Sequence, residues 1–468
     1  MDTAGLIMNK TTNILFYGLA ILSLKGISLV MMPIMTRYLS VSDYGMLNFL
    51  VSIASMLSIV LSLGLSELLY RFNQFKNNSQ RLRFYKACLK VALCSACLCF
   101  IFAIFFVDIL ITLLPTQVST EALRLLFINL GGSVVLALPL AILRIHGKAK
   151  AFMFTSVSQG VLQAMFTLLL LEAGYGVVGV MFSGAAVVWF ILFFLAWHYR
   201  AFISVNENSG TSITNEHGLY ILSITLSSLF AYGLNGAENW FLVSFQGKET
   251  LAMYFVATQF ALVTSIAFEP FRLWWFPQRF NTFQNNEQKA ADIPLYGLAY
   301  ALLIVITMMT LGPFMIDLLL PVEYAESKKI LPWLCVVFFI KTISELLNLG
   351  CYYKNNAQAA PIINGFCAVL AILGCYLSLK YYDLYMMLYV LIAVHTIRSL
   401  MFLIRSQILV NLPYKYKYLI CMISLLVAQT LLVSHYQLYA LILFASACLI
   451  VLSVGFIQRK QVMHLLRG

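Results

Sequence analysis

Apolar stretches of roughly twenty residues recur along the 468-residue chain, separated by short polar gaps. Backbone polar groups in hydrocarbon must be satisfied within their own segment, so each stretch predicts a membrane-spanning helix. The strand-length alternation of an outer-membrane barrel is absent. Spans are predicted near 13–36, 44–70, 85–107, 121–143, 151–171 and 177–198, followed by a polar link from Tyr199 to His217. Eight more follow near 219–245, 251–276, 294–316, 330–352, 359–379, 385–405, 418–434 and 438–457. The expected fold class is therefore all-α, a polytopic membrane protein with about fourteen transmembrane helices. Residues 1–198 would form one six-helix lobe, 199–217 a cytoplasmic linker, 218–405 a second six-helix lobe, and 406–468 an appended helix pair with a basic tail. Two six-helix halves of the same orientation are the layout of a parallel duplication.

Composition agrees with that reading. At 62% hydrophobic and 10% charged residues, with a mean hydropathy of +0.89, the chain is far from a soluble domain, where about 25% of residues are charged. The net charge of +12 is distributed unevenly. One set of gaps and ends holds Lys10, Arg71, Lys76, Arg81, Arg83, Lys86, Lys90, Arg144, Lys148, Lys150, Arg200, Arg272, Arg279, Lys289, Lys354, Arg405, Lys415, Lys417, Arg459, Lys460 and Arg467. The alternate set holds only Arg37, Arg124, Lys248, Lys328, Lys329 and Lys380. By the positive-inside rule both termini are cytoplasmic, and the basic balance needs no nucleic acid. The first apolar stretch is too long for a signal-peptide core and lacks a small-residue cleavage site, so it is expected to remain as a span.

Enzyme chemistry finds no foothold. Phosphate-binding Gly-rich loops, HExxH and GxSxG are missing, and the gaps are too short for an extramembrane catalytic domain. Cys94 and Cys97 have CxxC spacing, but without a second pair or a partnering His they read as packing residues. No cofactor is expected, and no metal.

The run from Pro33 through Arg37, Asp43, Tyr44 and Gly45, continuing to Leu63-Gly64-Leu65 and Arg71-Phe72, resembles the opening signature of a transporter family. The family is the Wzx-type polysaccharide flippases, within the multidrug/oligosaccharidyl-lipid/polysaccharide (MOP) exporter superfamily. Glu238, Gly247 and Ala252-Met253-Tyr254 are similar to its seventh-span pattern, with Glu in place of the commoner Asp and Ala252 in place of Gly. The resemblance implies an inner-membrane flippase for a lipid-linked oligosaccharide, usually on undecaprenyl diphosphate and destined for O-antigen or a similar surface glycan. It implies membrane lipids and a polysaccharide polymerase and chain-length regulator as partners, and proton or Na⁺ coupling. Two rivals stand beside it: a multidrug or small-solute antiporter of the same superfamily, which would prefer an acidic site, and an integral-membrane polysaccharide polymerase, which would need a large outside loop.

Charges inside spans are costly, a Lys or Arg at mid-membrane by roughly 2.5–3.5 kcal/mol on insertion scales, and therefore mark candidate sites. Lys25 lies mid-way along the first span, either lining a basic cavity or pairing with an acid. Glu269, Pro270 and Arg272 sit beside Trp274 and Trp275; Arg272 would contact phosphate and a Trp would stack on sugar, or the two charges neutralise each other and the rings form an interfacial belt. Lys341, Glu345 and Asn348 share a helix face that Tyr352 extends; Lys341 would contact the headgroup and Glu345 would serve coupling or gating, or the two pair with each other within the helix. His395 lies near Arg398 and Ser399 and is either a titrating group or a packed one. Glu238, between Asn235 and Asn239, is a coupling candidate. Glu67, Arg71 and Arg144, at inner span ends, are gate residues or first contacts for a diphosphate.

Overall fold

The computed structural model describes residues 3–75, 77–198, 214–353 and 359–435. The predicted fourteenth span, most of the 199–217 link, Lys76, Lys354 and the basic tail lie outside the described residues. The chain divides into two compact units, Met1–Ala252 and Met253–Gly468.

The first unit opens with α1 (Thr3–Tyr38), α2 (Val41–Ser62) and the short α3 (Leu65–Arg71). Ser40 starts α2 by accepting a hydrogen bond from the Asp43 amide at 3.1 Å, so the polar run Ser40–Asp43 works as a helix cap. Between α2 and α3, Leu63 and Gly64 take left-handed φ values of 50° and 56°. A side chain at Gly64 would be strained there and would meet the Ile224 side chain at 2.7 Å. Next come α4 (Asn78–Ile101), a π turn at Phe102–Phe106, α5 (Val107–Leu113), α6 (Thr120–Ile145), α7 (Ala149–Glu172) and α8 (Gly176–His198). The buried faces of α3, α4 and α6 meet in a core that includes Leu68, Phe84, Cys88, Val134 and Leu138.

Helix α9 (Asn215–Asn235) runs beside α2 and α3 in the opposite direction. His217 packs on Phe72, the Tyr232 hydroxyl lies 3.1 Å from Ser52 Oγ, and the Lys248 carbonyl reaches the Cα of Gly45 so closely that no side chain fits at Gly45. Helix α10 (Glu238–Asn285) is interrupted at Gly247, where φ is 87° and ψ 174°. The apolar region Asn215–Asn285 is 71 residues long. As one rod it would reach roughly 105 Å, more than three times a hydrocarbon core of about 30 Å. It therefore makes two crossings, separated at Gly247.

The second unit continues with α11 (Glu287–Leu319), α12 (Ser327–Leu346), α13 (Leu349–Tyr352), α14 (Ala359–Tyr381), α15 (Leu384–Leu409) and α16 (Tyr416–His435). Side-chain caps fix two starts: Asn286 accepts from the Lys289 amide at 2.9 Å, and Asp383 from the Met386 amide at 2.9 Å. Helix α12 packs against both α11 and α15. Eleven helical segments are long and apolar enough to cross a membrane. Helix α12 is not among them because Lys328, Lys329, Lys341 and Glu345 dilute it. With α12 and the second crossing of 215–285, the described residues supply thirteen crossings that follow the first thirteen predicted spans, in an all-α polytopic fold.

Candidate functional site

Arg272, Phe276 and Arg279 follow one another at i, i+4 and i+7, so they share one face of α10. That face exists because α10 continues through Pro270 and Pro277 to Asn285, nine residues past the predicted end of the span. Opposite it, α12 stops at Leu346 and the chain resumes as α13 at Leu349. Helix α15 secures this interruption: the Gly350 amide donates to Ser406 Oγ at 2.8 Å. Asn348 and Tyr352 thereby join Glu345 in one wall. Arg398 of α15 supplies the remaining side. The seven side chains line an open cavity of about 280 Å³, just below the range of ligand pockets, which run from about 300 to 1,000 Å³.

Each arginine is held by specific contacts. Arg272 donates from Nη1 to Glu269 at 3.0 Å, while its Nη2 lies 2.9 Å from Glu345, so one guanidinium joins α10 to α12. Arg279 donates to Asn348 Oδ1 at 3.3 Å, with the rings of Phe280, Phe276 and Tyr352 at 4.7, 5.0 and 5.5 Å from its guanidinium carbon. Arg398 donates from Nε to Asn364 Oδ1 at 2.8 Å and from Nη1 to Ser344 Oγ at 3.0 Å, and lies over Phe402. Among the described residues, Arg279 and Arg398 hydrogen-bond only to neutral groups. Three guanidiniums therefore face one lining carboxylate, leaving a positive cavity within apolar helices. Cations kept in such a place at a cost of a few kcal/mol each are suited to an anion, and the planar guanidinium fork matches phosphate oxygens in pairs.

Of the residues singled out in the sequence, Arg272, Glu345 and Arg398 line this cavity and Glu269 adjoins it through Arg272. Lys341 lies one turn before Glu345 and is half-buried outside the lining; the carboxylate of Glu345 turns to Arg272 of α10. His395 is buried one turn before Ser399, whose hydroxyl donates to the Ile340 carbonyl at 2.9 Å. The Trp275 ring is only 1% exposed and presents no open face in this conformation, whereas its neighbour Trp274 is exposed.

The first unit holds the others. Lys25 is half-buried on α1 and has no hydrogen bond or ion pair with a described residue. Glu238 is buried at the start of α10, next to a polar network in which Asn239 donates to Ser52 Oγ and Trp240 Nε1 donates to the Tyr232 hydroxyl. Glu67 is exposed. Arg71 lies over the Tyr220 ring at 4.9 Å, and Arg144 over the Phe152 ring at 4.1 Å. Sequence reasoning missed Arg279 and Phe276, having counted Arg279 among loop charges. Their spacing from Arg272, four residues for Phe276 and seven for Arg279, carried the signal.

A family model described as "Polysaccharide biosynthesis protein" matches residues 11–283, which include Arg272 and Arg279 and stop short of Glu345 and Arg398. No curated protein matches the chain. Among solved structures, the chain is similar to the lipid II flippase MurJ in an inward closed conformation, with TM-score 0.68 and 14% identity over 96% of this chain and 100% of that one. It is also similar to an inward-facing multidrug resistance MATE family transporter of the MOP superfamily, with TM-score 0.60 and 15% identity over 82% of this chain and 94% of the other. A MATE structure in complex with MaL6 gives TM-score 0.55 and 15% identity over 83% and 95% of the two chains. Identities this low speak to the fold alone.

Proposed function

The chain belongs to the polysaccharide biosynthesis protein family and has the multi-pass fold of MOP transporters, and from that premise we propose that it is a flippase for a lipid-linked oligosaccharide. The diphosphate joining lipid and glycan is the group that the arginine cavity of the second unit takes up. The observation that carries this reading is the lining itself: Arg272, Arg279 and Arg398 around the single carboxylate of Glu345. An isolated charged headgroup pays many kcal/mol to enter hydrocarbon, and a cavity that replaces its water with fixed guanidiniums lowers that barrier.

Glu345 gives the site a release mechanism. It occupies one branch of the Arg272 fork, so an incoming phosphate exchanges for a carboxylate rather than meeting a bare cation. Its return to Arg272 favours departure on the far side, and binding is therefore reversible. The polyprenyl tail stays in lipid while the headgroup crosses by alternating access. Coupling to a proton or Na⁺ belongs to this proposal, with the buried Glu238 of the first unit as the group that would carry it. Polymerase and chain-length regulator partners, expected from the family, would receive the product at the outer face.

An organic-cation antiporter is disfavoured by a lining in which guanidiniums outnumber carboxylates. The test uses liposomes containing a fluorescent undecaprenyl-diphosphate oligosaccharide and an outside quencher, with efflux of a cationic dye measured in parallel. Wild type should move the glycolipid and not the dye, and Arg279→Gln with Arg398→Gln should stop it. Wild-type flipping by that double variant would overturn the cavity assignment.

A further inference from the structure

The inner edge of the first unit holds a second set of arginines in different surroundings. Arg144, in the last turn of α6, lays its guanidinium over Phe152 of α7 at 4.1 Å. Arg71, in the last turn of α3, lies over Tyr220 of α9 at 4.9 Å. Both side chains are exposed, and among the described residues neither has a hydrogen bond or an ion pair. Stacking on an aromatic face fixes the plane of a guanidinium while leaving its N–H edge free for an anion. The ends of α3 and α6 share one core, against which Phe72, Ile145 and Tyr220 pack, and Tyr17 of α1 packs edge-on against Phe152 at 5.5 Å. Its hydroxyl is buried without a hydrogen-bond partner.

The surroundings are positive as well. His146, in the turn after α6, is held below its ordinary pKa first by burial and then by the charges of Arg81 and Lys148. The nearby acid, Glu67, is exposed one turn before Arg71 and forms no ion pair with a described residue.

We propose that Arg71 and Arg144 form a docking site for the diphosphate of the lipid-linked glycan at the inner edge of the first unit, separate from the arginine cavity of the second. The proposal rests on the flippase reading above. It assigns capture to the exposed pair of guanidiniums and passage to the three half-buried ones. A diphosphate offers a non-bridging oxygen pair on each phosphorus, one for each guanidinium edge, whereas a bulk phospholipid offers a single phosphodiester.

The experiment is calorimetric titration of the purified full-length protein with farnesyl diphosphate, a short-chain probe of the same headgroup. Wild type should show two sites. Arg71→Gln with Arg144→Gln should lose one and keep the other within about twofold, and Arg279→Gln with Arg398→Gln should do the converse. Phe152→Leu keeps every charge but removes a seat, and should weaken the edge site by about fivefold, which guards against a double variant that fails to fold. Two sites persisting in the Arg71/Arg144 variant, at unchanged affinity, would overturn the docking site while leaving the cavity standing. Two sites persisting in the Arg279/Arg398 variant would overturn the cavity instead. In nanodiscs, phosphatidylglycerol at matched phosphate should leave the edge site occupied by the probe; equal displacement would show a bulk-lipid site and overturn the proposal.

Discussion

Arg272 and Arg144 both belong to long apolar helices, and each is held in a way that fits its depth. Arg272 lies among helices of the second unit with a carboxylate on either branch of its fork, Glu269 from its own helix and Glu345 from α12. Arg144 lies at the end of α6 on the face of Phe152, with no carboxylate partner among the described residues. The difference follows from solvation. A guanidinium enclosed by helices must be compensated by hydrogen bonds or counter-charges, whereas one at the edge is compensated by water and headgroups and needs only orientation. In the proposed mechanism the half-buried arginines of the cavity exchange one anion for another. Those at the edge have no carboxylate to displace among the described residues and would take the diphosphate first.

The comparison can be broken most forcefully in the cavity. Replacing both Arg279 and Arg398 by Gln removes two charge-assisted contacts, each worth about 1.5–3 kcal/mol, and should cut glycolipid flipping by at least about a hundredfold with thermal stability retained. Next, Arg144→Gln should slow flipping about tenfold at low glycolipid and leave the maximal rate close to wild type, because capture is impaired and passage is not. Glu345→Gln should act in the opposite direction on affinity. Freed of its competing carboxylate, Arg272 should bind diphosphate roughly threefold tighter while turnover falls by a similar factor, as seen by comparing equilibrium binding with flipping rate. The smallest effect concerns salt. Raising ionic strength from about 0.05 to 0.5 M shortens the screening length from roughly 14 to 4 Å and should weaken the edge site several-fold, with the half-buried cavity changing less than twofold. Equal salt sensitivity at both sites would remove the distinction between them.

The sequence carried the membrane class and the order of thirteen crossings, since apolar length alone demands helices there. It carried less of their ends. Helix α10 continues to Asn285 because Pro270 and Pro277 interrupt amide donors without stopping the helix in its packed setting, a tertiary effect that no local rule reports. That overrun concealed Arg279, which a span ending at 276 assigns to a loop. The break at Leu347–Asn348 was hidden for the same reason: its cause lies on α15, at Ser406, fifty-six residues away from Gly350. Arg272, Glu345 and Arg398 were legible as costly charges within spans. Their convergence was not, because it depends on helix rotations that periodicity leaves open. Gly45 and Gly64, read as parts of a family signature, acquire a physical reason in the close approach of the Lys248 carbonyl and the left-handed break before α3.

The most direct test of the central claim places a photoreactive diazirine next to the diphosphate of an undecaprenyl-linked sugar and maps its adducts on the membrane-embedded protein by mass spectrometry. Adducts on the segments bearing Arg272 to Arg279, Glu345 to Tyr352 and Arg398 are the predicted result, reduced by an excess of unlabelled glycolipid. Labelling that spares all three segments, while flipping in the same vesicles continues, would contradict the assignment of the headgroup to this cavity.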